Sequence, residues 1–138
     1  MKAVVQEQRT GCGIAAVAAI AGVNYGKARA VAASVGISAH DPRLWSETEP
    51  VRRLAAAFRI EISRKIQPFR SWHHLPDCAL LATKWHLNER RPFWHWAVFV
   101  REQDQPYVLD SNPRLKTSTR SDLGRIKPRW FLAVSRSA

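Results

Sequence analysis

Residues 6–22 read QEQRTGCGIAAVAAIAG. From Gly13 to Val23 every residue is Gly, Ala, Ile or Val. Such a run is rich in helix formers and small enough in cross-section to pack closely, which predicts a buried helix over Cys12–Ala21 stopped by Gly22. At 11 residues the run is too short to cross a bilayer. The h-region of a signal peptide is the competing reading. It fits less well, because Glu7 accompanies Lys2 and Arg9 in the preceding segment and Ala and Gly drive insertion poorly.

Outward from this helix, Tyr25–Val35 (YGKARAVAASV) reads as a second Ala-rich helix ended by Gly36. A third opens in SETEPVRRLAAAF, where Ser46 followed by Glu49 has the form of a capping box. From Arg59 the pattern changes to short β-prone runs: RIEISRKI, CALLATKW, FWHWAVFV, PYVLD and RWFLAV. Helices followed by strands predict an α+β fold, with a helical lobe over about residues 10–58 packed on a small antiparallel sheet over about 59–138. At 138 residues the expectation is a single domain spanning 1–138.

The composition, 46% apolar and 24% charged, excludes global disorder. The net charge is +11, and the surplus collects late: residues 111–138 hold seven Lys or Arg against one acid. That distribution is an electrostatic footprint for an acidic partner, and a basic nucleic-acid-binding module is the rival reading from outside enzymology. No helix-turn-helix, finger or RNA-binding aromatic signature accompanies it. Cys12 and Cys78 lie 66 positions apart without a CxxC, which argues against a disulfide framework and for a reducing, cytoplasmic setting. The HHLPDC stretch (His73, His74, Cys78) matches no strong zinc spacing, so neither metal nor cofactor is expected.

Cysteine chemistry is therefore the first question. Cys12 stands at the start of a helix, where free N–H groups and the positive dipole end favour a thiolate, and Gly11 and Gly13 are expected to let the backbone turn and leave the sulfur uncovered. The plain alternative is a cysteine buried on an Ala-rich helix. Gln6, or its competitor Gln8, is placed to loop round the helix start and lend an amide N–H to an oxyanion hole. Among five histidines only His95 lies inside an apolar strand, where a polar ring needs a partner or a cleft. That strand turns through REQDQP into PYVLD. An odd register, Val100 opposite Tyr107, puts His95 and Asp110 on one face a diagonal step apart, with Asp110 placed to accept the Nδ1 proton; an even register separates them. Asn112 shares the parity of Asp110 and is the alternative orienter. Trp94 and Trp96 alternate to the opposite face and read as core, whereas Trp45 and Trp72 are candidates to line a peptide-gripping cleft.

Taken in order, QEQRTGCGIAAVAAIAG, HWAVFV and YVLD resemble the C39 family of papain-like cysteine peptidases, best known as the leader-peptide peptidases of bacteriocin export systems. The resemblance implies a papain-like fold, with Gln6 as oxyanion-hole amide, Cys12 as nucleophile, His95 as general base and acid, and Asp110 as the residue orienting His95. It implies a peptide or protein substrate cut through a thioester, with a leader peptide cut after small residues as one option. A deamidase, transferase or toxin-like protease would use the same residues. The chain departs from the family where many members carry Asp before the Cys and Pro directly after the Asp; here stand Gly11 and Ser111. No membrane span is expected, and the expectation is a free-standing, monomeric domain.

Overall fold

The computed structural model describes residues 1–136 and places three α-helices ahead of an antiparallel sheet. Helix α1 (Cys12–Ala21) buries every residue from Cys12 to Ile20, as a helix that is apolar all round must. It ends where the sequence places its stop: Gly22 takes φ 74°, and the N–H of Val23 reaches back to the Ala18 carbonyl at 3.0 Å. Helix α2 (Tyr25–Ser34) starts at Asn24, whose side chain accepts from the Lys27 N–H at 2.8 Å. Helix α3 (Glu49–Ala57) buries Pro50, Val51, Leu54 and Ala55.

The capping box expected at Ser46 does not form. Thr48 takes the cap position without a side-chain bond, and Pro50 presets the first turn instead. Ser46 closes a 3-10 turn over Pro42–Trp45, its hydroxyl donating to the Pro42 carbonyl at 3.3 Å.

The strands are β1 (Ile60–Ile62), β2 (Gln67–Pro68), β3 (Cys78–Asn88), β4 (Arg91–Glu102), β5 (Gln105–Asp110), β6 (Thr119–Arg120) and β7 (Trp130–Arg136). They are ordered β1-β7-β3-β4-β5-β6, with β2 also on β7, and every pairing is antiparallel. RIEISRKI is not one strand. The Arg52 guanidinium collects the carbonyls of Ile62, Ser63 and Arg64, which curls the chain away after Ile62. Two tight hairpins frame β4: Glu89 and Arg90 (φ 51° and 68°) join it to β3, and Gln103 and Asp104 (φ 51° and 64°) join it to β5. Positive φ at both central residues suits the twist of the flanking strands.

This second turn fixes the register on which the site depends. Val100 lies opposite Tyr107 and Ala97 opposite Asp110, the odd alignment. Trp94, Trp96, Val98 and Val100 face the helices together with Leu80, Leu109 and Leu132. Trp94, Trp96 and Trp130 pack edge to face with centroids 4.9–5.6 Å apart, and Trp96 Nε1 donates to the Leu44 carbonyl at 2.8 Å. The other face carries a second apolar cluster of Leu81, Ala97, Phe99, Val108 and Phe131. Trp72 packs, half-buried, against this cluster, 4.9 Å from Phe69 and 5.8 Å from Phe99 between ring centroids. Among the described residues no helix is long and apolar enough to cross a membrane.

Candidate active site

Strand β5 ends at Asp110, opposite Ala97, so β4 continues from Trp96 toward Arg91 without a strand partner on that side. The N-terminal segment enters there. The Gln6 N–H donates to the Ser111 carbonyl at 3.0 Å, and the Ser111 hydroxyl donates to Gln6 Oε1 at 2.7 Å. This latch holds the loop leading into α1 against the end of β5, and with it the start of the helix that carries Cys12.

His95 lies between the two halves. Its Nε2 stands 2.8 Å from Asp110 Oδ1, and the Cys12 side chain is the other group that favours charge on the ring. The expected use of Nδ1 toward Asp110 is thus reversed: Nε2 faces the carboxylate. The reason is the diagonal offset. Asp110 opposes Ala97, two residues along from His95, and a side chain reaching that far presents the ring's distal nitrogen. The His95 backbone is pinned from β3, where the Thr83 hydroxyl donates to its carbonyl at 2.9 Å beside a register shift between Thr83 and His86.

Burial opposes charge on His95, but the bonds to Asp110 and Cys12 outweigh it and raise its pKa to about 9, which keeps the ring protonated at neutral pH. Burial likewise works to raise Asp110. The bond from His95, the Asn112 N–H at 3.1 Å and Arg120 Nη1 at 3.1 Å prevail and hold it at about 2. Asp110, not Asn112, therefore faces His95. The Asn112 side chain instead accepts from the Arg114 N–H at 3.0 Å.

Two expectations are corrected here. Cys12 is fully covered, 0% exposed, rather than left open. The flanking glycines serve close approach: a Cβ at Gly11 would lie 2.2 Å from the Tyr25 hydroxyl, and one at Gly13 would lie 2.7 Å from Val51 Cγ2. Gly11 itself has an ordinary φ of −84°. The Tyr25 hydroxyl, which donates to Gln8 Oε1, fills the space that a side chain on residue 11 would need. The Gln6 amide donates to the carbonyls of Gln8 and Arg9 at 3.0 and 3.1 Å, so acting on an oxyanion would require it to exchange one of these bonds. Trp45 has Arg9 over its ring and Phe93 edge-on at 6.1 Å.

Arg120, which also pairs with Asp122 at 2.7 Å, went unmarked in the sequence. Its one signal is its place in the basic C-terminal stretch. His73 and His74 sit on an exposed 3-10 turn, where the His74 ring meets Ser71, while Cys78 begins β3 opposite Val100. Among the described residues no group of three or more His, Cys, Asp or Glu is placed to hold a metal.

No protein-family model matches the chain, and neither does any curated protein. Among solved structures it is similar to a double glycine motif protease from an AMS/PCAT transporter, crystallised in complex with the leader peptide. The TM-score is 0.61 at 15% identity, over 99% of this chain and 91% of that one. At that identity the likeness establishes a shared fold, that of a C39 peptidase, and nothing finer.

Proposed function

We propose that this protein is a cysteine peptidase of C39 type that cleaves a peptide bond through Cys12, His95 and Asp110. The observation that carries the reading is His95 Nε2 at 2.8 Å from Asp110 Oδ1, with the ring's charge favoured by Asp110 and by Cys12. A cysteine at a helix N-terminus beside a cationic ring is the arrangement of a sulfur nucleophile. Attack on a carbonyl forms a tetrahedral intermediate whose oxyanion meets the uncapped N–H groups at the start of α1 and the Gln6 amide once it turns from its loop carbonyls. His95 then gives its proton to the leaving amine, and water activated by the neutral ring hydrolyses the thioester. Asp110, anchored by Arg120 and the Asn112 N–H, keeps the ring aimed throughout.

The similar fold of a leader-peptide protease supports a peptide substrate, and the small-residue site of that class makes a double-glycine peptide the first to try. The test is incubation of wild type and Cys12→Ala with a library of such peptides, followed by mass spectrometry. Fragments from wild type alone are expected. Neither fragments nor an acyl group on Cys12 would contradict the proposal, while an acyl-Cys12 that passes only to amines would convert the reading to a transferase.

A further inference from the structure

Asp110 lines a cavity of about 410 Å³. Its rim is formed by Lys84 and Trp85 of β3, Arg120 of β6, and Arg125, Lys127 and Arg129 from the segment leading into β7. Four of the seven basic residues that follow Asp110 thus converge on one depression. The only acid that lines it, Asp110, is 4% exposed and already satisfied by His95 and Arg120. Arg120 is spent on Asp110 and Asp122, and Arg129 lies flat over Trp85 at 3.9 Å. Lys84, Arg125 and Lys127 are exposed at its mouth, and among the described residues none of them makes an ion pair with a carboxylate.

Converging cations with low-dielectric walls focus a positive field into a depression, and the field is strongest where the charges are not neutralised by neighbours. We infer that this cavity is a recognition subsite for acidic side chains of the peptide substrate, next to the His95–Asp110 pair. The volume takes one or two carboxylate side chains against the Trp85 and Ile126 surface and is too small for a folded partner. The subsite rests on the peptidase reading for its occupant. It also explains why the charge surplus gathers in the C-terminal stretch: those residues build its rim.

The test is equilibrium binding to full-length Cys12→Ala of a labelled Glu-rich peptide, N-acetylated and C-amidated so that only side-chain carboxylates are offered. Its Gln-substituted twin and a short single-stranded oligonucleotide are measured beside it. The Glu-rich peptide is expected to bind most tightly, to weaken with salt, and to lose about tenfold in affinity, roughly 1.4 kcal/mol, in Arg125→Glu/Lys127→Glu. The same reversal on exposed α2 residues, Lys27→Glu/Arg29→Glu, is expected to leave it within about twofold. Equal binding of the Gln twin, equal losses in both charge-reversed variants, or tighter capture of the oligonucleotide by the same residues would overturn the subsite. Cleavage of peptides with no preference for Glu removes the subsite and leaves the peptidase. Glu-dependent binding at the cavity without any acylation of Cys12 upholds the subsite and removes the peptidase.

Discussion

The two faces of the central sheet do different work with the same strands. On one face Trp94, Trp96, Val98 and Val100 are sealed under α1 in a tryptophan-rich core. On the other, one residue out of step, His95, Ala97 and Asp110 lead from the candidate site to a cation-rimmed cavity. The difference teaches that next to the candidate site alternate residues of β4 divide stability from chemistry, while farther along the strand both faces are core. Substitution of Trp96 should cost folding with the chemistry intact in whatever folds, and substitution of His95 should cost chemistry more than fold.

The largest effect is expected on the polar face. His95→Ala should lower peptide cleavage by about 10²–10⁴-fold while thermal unfolding stays cooperative. Asp110→Asn should cost less, and it should move the alkaline limb of the activity profile below the value near 9 expected for wild type, since the carboxylate that raises the His95 pKa is gone. On the apolar face, Trp96→Ala should destabilise the protein by about 3–5 kcal/mol in urea unfolding, because the indole is fully buried and bonded to Leu44. If instead Trp96→Ala unfolds no more readily than His95→Ala, the division between faces fails.

Stability should also record the ion pair. The His95 contribution is complete below its unfolded value of 6.5 and disappears as pH rises through about 9, whereas that of Asp110 is complete above 3.8 and is lost as pH falls toward 2. Wild type is therefore expected to lose on the order of 3 kcal/mol on the alkaline side, and His95→Gln to lose much less over the same range. A smaller effect separates close packing from chemistry at the helix start. Gly11→Ala should lower both stability and activity, and Tyr25→Phe should restore part of each by removing the hydroxyl 2.2 Å from the new Cβ. No rescue would show that Gly11 is required for another reason.

Much of this was legible in the sequence because it rests on short-range periodicity. Alternation in FWHWAVFV separates His95 from its tryptophans, and the length of REQDQP aligns Val100 with Tyr107, which brings Asp110 to His95. Gly22 and Gly36 mark helix ends by taking φ of 74° and 81°. What escaped rests on contacts between residues far apart in the chain. Strand β6 has two residues and hence no period to read, so Arg120 could not be placed on Asp110. The cover over Cys12 depends on tertiary packing around the helix start, and nothing local to TGCG records it. Ser46 has the local form of a cap, yet the Pro42–Trp45 turn claims its hydroxyl. Trp72 reads as a free aromatic until Phe69 and Phe99 are seen around it.

The central claim is that Cys12 is activated by His95, and the two cysteines offer a direct test. By exposure alone the half-buried Cys78 should react before the fully covered Cys12. Iodoacetamide labelling near neutral pH, followed by peptide mapping, is predicted to show Cys12 alkylated faster than Cys78 in wild type, and His95→Ala to abolish the advantage. Slow labelling of Cys12 in wild type, at or below the rate of Cys78 and unchanged by His95→Ala, would contradict the account.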